Sequence, residues 1–166
     1  MYFVGIFTSE KSKKYLNKII NNQIKSDEFQ IIYLTEKSIE NMKNVHFDSI
    51  VVNKKIINSD VLKGNLVNTK FVIVNTDIIT NLKFLDKTNC SVITYGFNPK
   101  STVTFSSNTQ DKIQICIQRN ILNNSINIEQ QEISLSKTEE VDIYDIMLLI
   151  CILLIYDSKI INLLKL

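Results

Sequence analysis

Tryptophan is absent from the 166-residue chain, proline occurs once (Pro99), histidine once (His46), and glycine only at Gly5, Gly64 and Gly96. A single histidine rules out a His-rich metal cluster. With so little glycine and proline, turns must be built from Asn, Asp, Ser and Lys. The cysteines, Cys90, Cys116 and Cys151, are odd in number, far apart and without CxxC spacing. That pattern argues against a disulfide framework or a zinc site and for free thiols packed as small hydrophobes in a reducing compartment. Charge of one sign is also lacking. Lys+Arg 19 against Asp+Glu 17 leaves a net charge of +2, whereas a nucleic-acid binder carries a concentrated basic face. The cluster Lys11, Lys13, Lys14 and Lys18 reads as the solvated face of a helix. Long hydrophobic runs are missing too. The most apolar stretch, Ile143 to Tyr156, is interrupted by Asp145 and ends at Asp157, short of the ~20 residues of a membrane span. It reads as a buried helix, with no membrane partner. Met1 to Phe7 is too short for a signal peptide, and no cleavage pattern follows it, so a cytoplasmic protein is expected.

The chain does hold enough apolar residues, 45%, to build the core of one domain spanning 1–166. In its first half, short apolar runs alternate with helical spacing. Strands are predicted at Tyr2–Phe7, Phe29–Leu34, Ser49–Asn53, Lys70–Asn75 and Cys90–Tyr95. Helices are predicted at Lys11–Ile24, Glu36–Asn44, Asp60–Leu66 and Ile78–Leu85. The runs SIVVN and FVIVN are β-branched throughout rather than alternating, as parallel strands buried on both faces are. The fold class is therefore α/β, an open and mostly parallel sheet flanked by helices. After Pro99 the rhythm changes to alternation at Thr102–Ser106 and Lys112–Ile117, joined by a turn at Asn108–Asp111. Gln131–Leu135 is a candidate third strand of this small antiparallel addition. A long helix, Asp142–Tyr156, and a shorter one, Ile160–Leu166, are expected to close the chain.

One stretch carries chemistry. Gly5-Ile6-Phe7-Thr8-Ser9-Glu10-Lys11-Ser12 matches the phosphate-loop pattern G-x-x-x-x-G-K-[ST] except that Glu10 replaces the second glycine. In such a loop successive amides and a helix N-terminus cradle phosphates, the lysine reaches the β/γ-phosphates and the hydroxyl binds Mg²⁺. Glu10 resists the conformations that glycine adopts and adds a carboxylate where phosphate charge would lie. The plainer reading is a helix start, with Thr8 or Ser9 as N-cap and Glu10 favouring the positive end.

Phe71-Val-Ile-Val-Asn75-Thr76-Asp77 and Ser91-Val-Ile-Thr-Tyr95-Gly96-Phe97-Asn98 resemble segments of the central, ATP-binding domain of the Mur ligase family, which adds amino acids to the peptidoglycan stem peptide. Asp142-Ile-Tyr-Asp-Ile-Met resembles the family's helix after its antiparallel strands. Leu34-Thr35-Glu36-Lys37-Ser38 is similar to its E-x-S-S segment, and Phe47–Asn53 to its F-D-x-x-x-x-T-N strand. The resemblance implies a nucleotide site at Thr8, Ser9, Lys11, Ser12, Asn75 and Asp77, with Mg²⁺ held by Ser12 and Glu36. The departures are a degraded glycine loop, Lys54-Lys55-Ile56-Ile57-Asn58 where the family has D-H-L-D, and no assigned counterpart of the carbamylated lysine beyond Lys63. The family's flanking domains, needed to form an acyl phosphate away from water, are not found in the chain.

The expectation is thus a degenerate, catalytically inactive Mur-ligase-like domain (a pseudoenzyme) that acts by binding, linked to cell-wall metabolism. Its partner would be another protein or a second copy, docked through the apolar C-terminus of Ile160, Ile161, Leu163, Leu164 and Leu166. No cofactor is then expected. The alternative is an ATP- and Mg²⁺-binding ligase subunit that completes its active site with another chain.

Overall fold

The computed structural model describes residues 1–24, 27–42, 45–58, 60–87, 89–123, 126–137 and 140–166, with the side chains of residues 63, 84, 86, 87, 123, 126 and 163 outside that description. Lys63 and Leu163 are therefore not placed beyond their backbone, and the last residues of the helix expected to end at Asn44 lie outside the described ones. The strands are β1 (Tyr2–Phe7), β2 (Phe29–Leu34), β3 (Ser49–Val52), β4 (Phe71–Asn75), β5 (Ser91–Tyr95), β6 (Val103–Asn108), β7 (Lys112–Ile117), β8 (Ile121–Asn123), β9 (Ile126–Ile128) and β10 (Gln131–Ser136). The α-helices are α1 (Glu10–Gln23), α2 (Glu36–Asn41), α3 (Asp60–Leu66) and α4 (Ile143–Tyr156).

An eight-stranded sheet runs in the order β10-β7-β6-β5-β4-β3-β1-β2, and β8 and β9 form a separate antiparallel pair. β1 to β6 run parallel to one another; β7 is antiparallel to both β6 and β10, so β7 alone is reversed in this sheet. The fold is α/β with a mostly parallel mixed sheet. β3 and β4 lie inside it, and every residue of SIVV and FVIVN is buried, as continuous β-branched runs require.

Alternate residues of these strands feed two cores. Val4, Ile6, Val51, Ile73 and Ile93 face Leu16 and Ile19 of α1 and the whole of α4. Phe7, Ile50, Val52, Val72 and Val74 face Ile39 of α2 and Leu62 and Leu66 of α3. The amphipathic α1 buries Leu16 and Ile19 and leaves Lys11, Lys14 and Lys18 exposed, the solvated face that the lysine spacing predicts. In α4 every residue from Asp145 to Ile155 is buried, which is why the segment is apolar all round. The sheet lies on one side of it; Ile121 and Ile128 of the β8–β9 pair and Ile161, Leu164 and Leu166 belong to the same core.

Three readings are corrected. Ile78–Leu85, expected as an α-helix, is a 3₁₀ helix at Ile79–Lys87. Within it the Asn81 side chain accepts from the Ile56 amide and donates to the Lys54 carbonyl, tying this turn to the neighbouring loop. The final helix is a 3₁₀ turn at Ser158–Leu163, after which the Leu166 amide donates to the Ser136 carbonyl and Lys165 bridges Ser136. Of the expected docking surface at the C-terminus, Ile161, Leu164 and Leu166 are buried and Ile160 is half-buried, while the side chain of Leu163 lies outside the description. Ile161, Leu164 and Leu166 are 3%, 4% and 4% accessible, because they close this chain's own core over α4.

Candidate functional site

In an open parallel sheet, ligands lie outside the carboxyl ends of the strands, where the strand order reverses. Here the chain passes from β1 outward to β2 and then back to β3 on β1's other side, so the reversal falls between β1 and β3. Beside it lies a cavity of about 300 Å³ lined by Ser12, Asn53, Asn75, Asp77, Ile78, Asp142, Tyr144 and Asp145. A second cavity, of about 270 Å³, is lined by Lys11, Tyr15, Glu140, Val141, Asp142 and Asp145 and so shares two carboxylates with the first.

Asn53, the residue after β3, is the hub. Its amide donates to Thr8 Oγ1 (3.0 Å) and to Asp145 Oδ1 (3.2 Å), while its carbonyl accepts from the Tyr95 hydroxyl (2.6 Å). Ser12 also bonds Asp145 through its side chain. The ends of β1, β3 and β5, the first turn of α1 and the first turn of α4 are thereby tied together. Asp145 is 2% accessible. Burial above all, and then Asp142, raise its pKa to about 6, against the opposing effects of Ser12, Asn53 and Lys11. Burial likewise pushes Tyr95 well above its ordinary value, so it stays a neutral donor.

On the other wall, Asn75 ends β4 and its Oδ1 takes the Asp77 amide (3.0 Å). Asp77 Oδ2 accepts from the Tyr144 hydroxyl (2.9 Å) and from the Phe97 amide (2.8 Å). Tyr144 is raised to about 12 by burial and by that bond. Gly96 has φ +152, and a Cβ there would meet Thr76 Oγ1 at 2.6 Å and Asp77 Oδ2 at 2.9 Å. Only glycine lets β5 turn this close to Asp77.

The expected phosphate-loop layout is not what connects β1 to α1. The strand continues through Phe7 and the helix starts at Glu10, leaving only Thr8 and Ser9 between them. Gly5 lies within β1, where a Cβ would meet Leu34 Cδ1 at 2.5 Å and Phe47 Cδ1 at 3.1 Å; its smallness serves packing. Ser9 is the N-cap, its Oγ accepting the Ser12 amide (3.1 Å) that a phosphate would use. Thr8 is turned to Asn53.

Of the residues implied by the resemblance, Ser12, Asn75 and Asp77 share the first cavity, Lys11 is exposed on the second, and Thr8 and Ser9 line neither. Glu36 is not brought to Ser12. Its carboxylate accepts the amides of Ile57 (3.0 Å) and Asn58 (2.9 Å) and fixes the loop after β3. The two do not fit a shared Mg²⁺ site, and among the described residues no group of three or more His, Cys, Asp or Glu is placed to hold a metal ion. Glu10 does not set the charge of the crevice either. It is exposed and pairs with Lys13 (3.9 Å). The carboxylates that line the first cavity are Asp77, Asp142 and Asp145, with no lysine or arginine among its wall residues.

Sequence reasoning placed Asn75 and Asp77 at a strand end but missed Asn53, Tyr95, Asp142, Tyr144 and Asp145 as one cluster. The available signal was a polar residue straight after each all-apolar strand, and an aspartate interrupting an otherwise apolar helix. Comparison of the chain with protein-family models finds no match, and comparison with curated proteins finds none. Among the described residues no helix is long and apolar enough to cross a membrane.

Proposed function

We propose that the chain is a catalytically inactive domain of the Mur-ligase central type that acts by binding another protein and does not turn over a nucleotide. The carrying observation is the wall of the crevice beside the β1–β3 reversal: its carboxylates are Asp77, Asp142 and Asp145, with no lysine or arginine among its wall residues, a lining that disfavours a triphosphate. Each like-charge contact at ~4 Å costs about 1 kcal/mol in water and about 4 at an effective dielectric of 20. The short β1–α1 link adds to this by leaving few free amides to offset the repulsion. In favour of the family reading, the two most family-like segments meet at adjacent strand ends, the Thr76 amide donating to the Tyr95 carbonyl at 2.9 Å. A place in cell-wall metabolism and a cytoplasmic location are parts of the same proposal.

One observation favours the second reading, an ATP- and Mg²⁺-binding subunit completed by another chain. Lys11 lines the smaller cavity beside Asp142 and Asp145, so a basic group does stand near the crevice. Calorimetry of the chain with ATP and Mg²⁺ separates the two. No saturable heat at millimolar nucleotide is expected; submillimolar binding that Lys11→Ala abolishes would overturn the inactive reading.

A further inference from the structure

The crevice beside the β1–β3 reversal holds hydrogen-bonding capacity that the chain itself leaves unused. Asp77 gives Oδ2 to the Tyr144 hydroxyl (2.9 Å) and the Phe97 amide (2.8 Å), and Asp142 gives Oδ1 to the Tyr144 amide (3.0 Å). Among the described residues nothing donates to the other oxygen of either carboxylate. Asp145 adds a third acidic side chain to the same wall. Lys11, on the neighbouring cavity, makes no salt bridge to any of the three among the described residues. A different kind of unmet demand comes from Asn75, which is 4% accessible and lines the cavity. Its Oδ1 takes the Asp77 amide (3.0 Å), but its Nδ2 has no partner among the described residues and is open to the cavity. A largely buried donor left without an acceptor is costly, so its complement is an oxygen brought by a ligand. At the rim the Phe97 ring is 47% exposed, set edge-on to Tyr144 (5.1 Å) and beside Phe105 (5.5 Å).

We infer that the crevice takes the N-terminal residue of a partner polypeptide, with its α-ammonium on the carboxylates, its first carbonyl on Asn75 and its side chain against Phe97. The combination of demands selects this occupant. The carboxylates require a cation, and an α-amine is one at neutral pH. Asn75 requires an acceptor close to that cation, and in a polypeptide the first carbonyl is joined to the carbon that bears the ammonium. A lysine or arginine side chain carries the charge with no oxygen beside it. A metal ion is not the occupant, since among the described residues no group of three or more His, Cys, Asp or Glu is placed to hold one. A free amino acid would bring its own carboxylate against an acidic wall. An apolar or aromatic first side chain finds the exposed Phe97 ring as its seat. About 300 Å³ is small for a ligand pocket and suits a single residue. Capture of a terminal amine is a recurring mode of peptide recognition. The inference rests on the reading that the chain binds another protein, and it names the part of that protein which the crevice holds.

Calorimetry of the purified chain with the amidated peptide Phe-Ala-Ala tests this. Saturable binding is expected, and N-acetylation of the peptide should weaken it at least about tenfold by removing the charge. Asp142→Asn, which keeps a side chain able to cap α4, should weaken it by about three- to tenfold. Asn75→Ala, where its circular dichroism stays native, should weaken phenylalanine amide by about fivefold and leave phenethylamine, which has the cation and ring but no carbonyl, unchanged. Asp142→Asn carries the test where Asn75→Ala does not fold. No saturable binding up to about 10 mM peptide, equal binding of the acetylated peptide, or phenethylamine bound as tightly as phenylalanine amide would overturn the inference. Binding of ATP with Mg²⁺ in the earlier titration would overturn the inactive reading instead. A chain that refuses both ATP and the peptide loses this inference and keeps that reading.

Discussion

At 2% accessibility, Asp145 makes stability depend on pH in a defined direction. Its folded pKa of about 6 lies above the ordinary 3.8, so the folded state binds the proton more tightly. Its contribution is fully present below the unfolded value, declines as pH rises between the two and is lost above about 6. Asp145→Asn should therefore raise stability at pH ~7.5 by on the order of 1–3 kcal/mol and change it little near pH ~4. Urea melts of both proteins at the two pH values check this; an equal difference at both would show that the charge is not the cause. Gly5 makes a second residue-scale test. Gly5→Ala should cost about 1–3 kcal/mol, since its Cβ would meet Leu34 at 2.5 Å, and Leu34→Val should relieve part of the loss. A stable Gly5→Ala protein would return that glycine to a loop role. Neither behaviour was legible in the sequence. The G-x-x-x-x-x-K-S spacing is the same whether the glycine sits in a loop or a strand, and what decides is Leu34 and Phe47, far along the chain.

Elements were far more legible than side-chain chemistry, because apolar period is local while the crevice is assembled from five separated segments. β1, β2, β7 and α3 fall on the residues that periodicity assigns them. The β-branched density of SIVV and FVIVN correctly places β3 and β4 inside the sheet. The β8–β9 pair was missed, being three residues a strand and too short for alternation to register. Both 3₁₀ segments carry helical apolar spacing, which does not by itself distinguish i+3 from i+4 hydrogen bonding. The start of α1 is the element-scale prediction. Ser9→Ala removes the N-cap and should cost about 1 kcal/mol in thermal or urea unfolding. Lys11→Ala, at an exposed position, should stay within about 0.5 kcal/mol. The reverse order would mean that Lys11 is held by more than solvent.

For the molecule as a whole, the last residues are part of the core. Leu164→Ala or Leu166→Ala should each cost about 2–4 kcal/mol, read as a lowered unfolding midpoint. A negligible loss of stability would instead mean that those side chains do not complete the core.

The position of α4 has a consequence for how the protein is made. Strands from β1 onward lay half of their apolar side chains against a helix that spans residues 143–156 of 166. A nascent chain thus carries its sheet residues with one side shielded only by α1 until residues 143–156 have been made and have left the ribosome, a period in which strand edges and apolar surface invite aggregation. Stalled chains ending before residue 143 are expected to be digested readily by protease. Resistance should arrive in one late step, once the helix has cleared the exit tunnel.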